Sequence, residues 1–354
     1  MTALDYQKIF TEYDARKIFD TLTVDINLTA TTFDDHKIYL LQEISVDRND
    51  HTNELLKKLQ QDVSKSVKSM DTATKVSDTH SSWSVFYALK ELIDLIQSLS
   101  PAGYQAYFRG QAGSWELRPT MLRSGKHGYT DKFRENFEDI YKEISRKFPS
   151  EISYKTVDQL EERAFNLAEL QHYGLGTPLI DVTENPFIGM IFMVDGYSGT
   201  QDFSEPQLDI FFVGSEKKNK LFQRVVRSKD NPRITAQKGA FLNFEKLSSD
   251  MDLGESVVPR ISIRLRYVKP NIDEQVLSDL PEGELGGLDS DEDRDKEVTL
   301  NSAVMDIQEK LDSFFYRSED LFPDFYMYLR TVKKRYSVSD EVRKNKWYEV
   351  DENK

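Results

Sequence analysis

Apolar side chains recur at threes and fours between residues 83 and 98: Trp83, Phe86, Leu89, Leu92, Ile93 and Ile96. That spacing lines one side of a helix, and Ser100-Pro101 ends it. Upstream the pattern is looser. Residues 5 to 22 carry apolar positions at irregular helical spacing, and residues 53 to 70 read as a polar, lysine-rich helix. A helical amino-terminal region over residues 1–80 follows. The stretch "DTATKVSDTHSS", 71 to 82, reads as its linker to the rest.

From residue 104 strands mix with helices. Tyr104, Ala106 and Phe108 share one face of a strand that runs to Arg109. Helices follow near 131–148 and 157–171, then a short apolar strand from Pro178 to Asp181, a helix from Pro186, and strands near 207–213, 233–235, 240–244 and 259–268. "PRISIRLRYV" alternates Ile261, Ile263, Leu265 and Tyr267 with Ser262, Arg264 and Arg266, which predicts a half-buried antiparallel strand. Residues 281–297 are acidic and nearly free of aromatics, so a mobile loop is expected there. Helices near 299–314 and 319–336 close the domain, and residues 337–354 form a polar tail. The pattern predicts an α+β fold, with a mixed or mostly antiparallel sheet flanked by helices.

Composition narrows the chemistry. The 354 residues include no cysteine, which excludes disulfides, thiolate catalysis and cysteine-bound zinc. No apolar run approaches the roughly 20 residues that span a bilayer, and "MTALDYQKIF" lacks the pattern of a secretory signal, so a cytoplasmic protein without membrane contact is expected. The net charge of −14 repels nucleic acid on average. Lys217 to Lys238 and Arg330 to Lys346 are locally basic; both read as solvated surface, with a polyanion contact as the alternative.

The histidines, His36, His51, His80, His127 and His172, are scattered without metal spacing, and "DSDEDRDKE" lacks the order of a calcium loop, so no metal is expected. No Gly-x-x-x-x-Gly-Lys, Gly-x-Gly-x-x-Gly or Gly-x-Ser-x-Gly occurs. One residue does stand out. Arg109 sits between an aromatic residue and Gly110 at a strand end, where a planar fork of donors needs an acidic or phosphate partner.

Four separated segments carry a resemblance. "YFRGQ" with "WELRPTMLR", "LAELQHYGLGTPLIDVTENPFIGMIF", "RITAQKGAFLNF" and "SEDLFPDF" stand in the order and spacing of the FRG domain, named for Phe-Arg-Gly. The chain resembles that family over residues 83–336. It departs from the family at Pro178 and Val182, where relatives carry arginine and tryptophan. Aromatic-Arg-Gly at an early strand end is also similar, more distantly, to the first motif of mono-ADP-ribosyltransferases. In those enzymes the arginine grips dinucleotide phosphates. Here no Ser-Thr-Ser follows, and Gln237 stands where their catalytic acid would be.

These resemblances imply a bacterial enzyme of the ADP-ribosyltransferase or NAD-glycohydrolase type in a toxin or phage-defence context, with NAD as substrate and a protein or nucleic acid as acceptor. Arg109, His172, Asp181 and Gln237 would be catalytic, and Arg109, Gly110, Gln111, Gln171 and Thr183 would bind the nucleotide. A non-catalytic module that binds a nucleotide or a protein is the alternative, and homo-oligomerisation through the amino-terminal helices is a further expectation. Each residue also has a plainer reading. Arg109 and Asp181 would form a buried ion pair joining two strands; His172 would close a helix whose cap is Gly174; Thr183 and Asn185 would cap the helix at Pro186.

Overall fold

Leu22, Val24, Ile26 and Leu28 alternate along one strand and are all fully buried, which places a strand where helix was expected. A computed structural model describes residues 5–33, 36–51, 53–76, 84–100, 102–125, 128–197, 205–214, 221–224, 232–248, 258–269, 292–323 and 328–329. In chain order the strands are β1 (Phe19–Phe33), β2 (His36–Val46), β3 (Gln105–Gln111), β4 (Leu179–Thr183), β5 (Gln207–Val213), β6 (Phe222–Gln223), β7 (Gly239–Asn243) and β8 (Val258–Tyr267). They form one mixed sheet in the order β2-β1-β8-β5-β3-β4-β7-β6. The β1–β8 pair is parallel and the others are antiparallel.

The helices are α1 (Tyr6–Glu12), α2 (Ala15–Ile18), α3 (Glu54–Val76), α4 (Val85–Ser98), α5 (Asp131–Glu135), α6 (Phe137–Lys147), α7 (Leu160–His172), α8 (Pro186–Val194), α9 (Pro232–Ala236) and α10 (Glu292–Ser313). Apolar side chains of α3, α4, α8 and α10 cover one face of the sheet. Those of α1, α6 and α7 pack in a second cluster with Tyr107, Phe211 and Phe241. The α+β class therefore holds, with two apolar clusters sharing one sheet.

Several local expectations are corrected. The amino-terminal region is not helical throughout, because β1 and β2 contribute strands to the common sheet. Residues 71–76 continue α3 rather than forming a linker, and 77–82 lie outside the described residues. Residues 233–235 belong to α9, which Pro232 opens with its pre-set φ. Residues 292–297 begin α10, where Glu292, Asp293 and Asp295 complement the positive helix end; residues 281–291 are outside the described set. β8 is half-buried as expected, with Ile261, Ile263 and Leu265 fully buried and Arg264 and Arg266 partly exposed, but it pairs antiparallel with β5 and parallel with β1. Residues 318–321 form a 3₁₀ turn, while most of 322–336, the 337–354 tail, Trp83, His80, His127 and most of the two basic stretches fall outside the described residues.

Gly110 fixes how β3 meets α8. A Cβ there would come within 1.9 Å of the Gly189 carbonyl oxygen and 2.3 Å of the Met193 nitrogen. Glycine alone lets the strand lie this close to the helix backbone. Phe108 packs in the cluster on the same side as α8. By the period of two, Tyr107, Arg109 and Gln111 turn to the opposite face.

Candidate functional site

Beside the carboxyl-terminal half of β3 and the middle of its antiparallel neighbour β4 lies a cavity of about 1030 Å³, with residues of both strand faces in its lining. Every residue expected in the site lines it: Arg109, Gly110, Gln111, Gln171, His172, Asp181, Thr183 and Gln237. They come from β3, the end of α7, β4 and the turn between α9 and β7. Convergence does not give each of them a free side chain, however.

Arg109 and Asp181 are not a buried ion pair. The Arg109 Nη1 donates to the backbone carbonyl of Asp181 at 2.9 Å and lies 4.0 Å from its carboxylate. The two side chains keep 20 % and 53 % of their surface. Arg109 Nε donates to Gln111 Oε1 at 3.2 Å, so two of its three nitrogens hold it in place. Among the described residues its Nη2 makes no hydrogen bond.

Asp181 is positioned by a chain of side chains. Gln171 Nε2 donates to its Oδ2 at 2.6 Å, and the Thr177 hydroxyl donates to Gln171 Oε1. The amide of Gln171 is thereby oriented, with its nitrogen toward the carboxylate. Asp181 lines the cavity, and partial burial there raises its carboxyl above the ordinary range. Arg109 and then Arg233 pull it back down.

His172 closes α7 as expected, with Gly174 behind it at a φ of +91°. A guanidinium also reaches this helix end. Arg233 Nη1 lies 2.7 Å from His172 Nδ1 and 3.4 Å from the His172 carbonyl oxygen. Guanidinium can only donate, so Nδ1 accepts and the ring proton is assigned to Nε2. Arg233 itself rests on the Phe322 ring, 4.3 Å from its centroid.

Four of the expected site residues have other duties. Thr183 Oγ1 donates to the Gln237 carbonyl at 2.7 Å and accepts from the Asn185 backbone, while Asn185 Oδ1 caps α8. Gln237 Nε2 donates to the Leu321 carbonyl at 3.2 Å. Gln111 Nε2 donates to the Trp115 carbonyl at 3.0 Å, shaping the loop after β3. Gly110 serves the approach of α8.

Polar and aromatic residues that the sequence did not mark as site residues also line it, among them Trp115, Glu116, Arg118, Arg123, Asp195 and Arg233. Arg118 is committed to Glu116 through two hydrogen bonds, 2.9 and 3.2 Å, and lies over the Tyr13 ring. Asp195 accepts from Ser318 at 2.8 Å. Trp115 stays 57 % exposed at the cavity. Four arginines thus face three carboxylates in a chain whose net charge is −14. The position of Arg123 inside "WELRPTMLR", the segment paired with "YFRGQ" in the family resemblance, was the available signal.

Among the described residues no group of three or more His, Asp or Glu is placed to hold a metal, and no helix is long and apolar enough to cross a membrane. Residues 104–202 match the family described as FRG domain. The matched stretch holds β3, the arginine-bearing loop after it, α7, β4 and α8, and stops before α9 and β7. No curated protein and no solved structure matches the chain. The more distant likeness to mono-ADP-ribosyltransferases gains no support from these comparisons.

Proposed function

We propose that this FRG domain-containing protein binds a nucleotide by its phosphates and cleaves the nicotinamide–ribose bond of NAD. The observation that carries the reading is the juxtaposition of Arg109, whose Nη2 is uncommitted among the described residues, with an oriented Asp181 carboxylate in one cavity. Arg109 supplies a planar cation suited to phosphate oxygens. Trp115 offers an exposed aromatic face for a base.

In the reaction, water adds to the ribose carbon as its bond to the pyridinium nitrogen breaks. The bonding pair passes to nicotinamide, which leaves neutral, and the water proton is released. The sugar passes through an oxocarbenium-like state, and an anion held beside it lowers that barrier. Asp181, fixed by Gln171 and Thr177, is the group for this role. His172, held through Nδ1 by Arg233, lines the same cavity beside Asp181. Gln237 drops from the catalytic set, because its amide is spent on Leu321. An acceptor other than water, and a setting in bacterial toxicity or phage defence, belong to the same proposal.

The engagement of Gln237 and Thr183 favours a second reading, a module that binds the nucleotide without cleaving it. Nicotinamide release separates the two when measured with wild type, Arg109→Gln and Asp181→Asn, with and without protein or nucleic-acid acceptors. Release by wild type that both substitutions abolish supports cleavage. Calorimetric binding of NAD without release leaves the binding module, and neither binding nor release rejects both.

A further inference from the structure

Arg123 follows a 3₁₀ turn, Thr120–Leu122, in which Met121 and Leu122 are fully buried. The Met121 nitrogen donates to the Thr177 carbonyl at 3.3 Å, and the Arg123 carbonyl accepts from the Tyr129 nitrogen at 3.1 Å. Its backbone is therefore anchored on both sides. The adjoining loop is closed tightly, since a Cβ on Gly128 would reach within 2.3 Å of the Arg123 oxygen. A cation on such a base is held where the fold puts it.

The fold puts it beside another cation. Arg123 lines the same cavity as Arg109, and the Arg109 charge, after burial, is the main influence that lowers its guanidinium from the ordinary value. Among the described residues Arg123 has no ion pair; its Nε donates only to the Arg118 carbonyl, at 3.4 Å. Glu116 is taken up by Arg118, and Asp181, 4.0 Å from Arg109, offsets the two cations only in part. Two like charges that share one carboxylate keep a net positive charge, which an anion bridging them neutralises.

We infer that Arg109 and Arg123 form a two-cation clamp that selects a diphosphate group over a single phosphate. The clamp rests on the proposed nucleotide reading and specifies the ligand class: a nucleoside diphosphate or a dinucleotide joined by pyrophosphate. One phosphoryl group meets Arg109 and the other meets Arg123, whose charge neutralises the second group. A monophosphate engages only one of them.

Calorimetric titration with ADP and AMP tests this on wild type, Arg123→Gln and Arg123→Lys. Wild type is expected to bind ADP about tenfold or more tightly than AMP, the worth of one charge-assisted contact. Arg123→Gln is expected to bring ADP down to the AMP level while AMP changes less than about threefold, and Arg123→Lys to keep part of the preference. Unchanged thermal melting confirms that the variants are folded, as the exposed Arg123 side chain predicts. Equal affinity of wild type for ADP and AMP, or equal losses of both in Arg123→Gln, overturns the clamp while leaving a nucleotide site standing. Absence of binding by ADP, AMP and NAD overturns the nucleotide reading together with it.

Discussion

Arg109 Nη1 reaches the backbone carbonyl of Asp181, at 2.9 Å, more closely than its carboxylate, at 4.0 Å. The arginine is thus oriented by a neutral acceptor, and the carboxylate by Gln171. The two charges still face each other at 4.0 Å, as a long and partly exposed pair rather than a closed buried one.

The carboxyl of Asp181 gives the first prediction. Partial burial raises it above its unfolded value, so over the window between the two values the folded state binds more protons. Stability attributable to this group is present at low pH and is lost as pH rises through the folded value. Asp181→Asn removes that dependence, and at neutral pH it is expected to stabilise the fold or to cost no more than about 0.5 kcal/mol. A loss of about 3–5 kcal/mol in denaturant titrations would instead mark a buried structural pair.

Gly110→Ala is expected to be severe. The added Cβ meets backbone atoms of α8, at 1.9 Å from the Gly189 oxygen, which no rotamer change relieves. Strand and helix must separate, at a cost of about 3 kcal/mol or more. Thermal melting of this variant beside Gly103→Ala, where nothing lies within 4 Å but φ is +88°, separates contact from backbone strain.

A buried network distant from the cavity ties the chain start to the second cluster. Arg163, fully buried, donates to Glu245 at 2.9 Å and to Glu138 at 2.8 Å, and the Tyr6 hydroxyl donates to Glu245 at 2.6 Å. Arg163→Met leaves carboxylates without their cation and is expected to cost about 3–5 kcal/mol. Tyr6→Phe removes one hydrogen bond and is expected to cost about 1–2 kcal/mol. Urea titrations of both variants, with the double variant showing non-additive losses, check the network.

Trp115 offers a stacking face without belonging to the core. Trp115→Ala is expected to leave thermal stability within about 0.5 kcal/mol and to weaken nucleotide binding by about 1–3 kcal/mol. Calorimetry on the folded variant reads both effects.

How far the sequence reveals this arrangement depends on the element. Strand β5 and helices α4, α7 and α8 follow from spacing because each buries one regular apolar pattern or begins at a proline. β1 alternates Leu22, Val24, Ile26 and Leu28 with polar residues, a strand pattern the sequence does carry, whereas its parallel pairing with β8, more than 200 residues away, has no local signal. The grouping of Arg109, Gln171, His172 and Asp181 around one cavity was legible through their motifs. What those side chains bond to was not: Arg233 reaches His172 across 61 residues, and Leu321 reaches Gln237 across 84. Arg123 was hidden for another reason, since its neighbour Arg109 is close only after the 3₁₀ turn folds back.

Titration calorimetry of NAD into wild type and Arg109→Gln tests the central claim, that the cavity is a phosphate-directed nucleotide site. Wild type is expected to bind, more weakly as salt rises, and Arg109→Gln to lose about tenfold or more in affinity while melting like wild type. Equal affinities of two folded proteins, or no heat of binding from wild type, would contradict it.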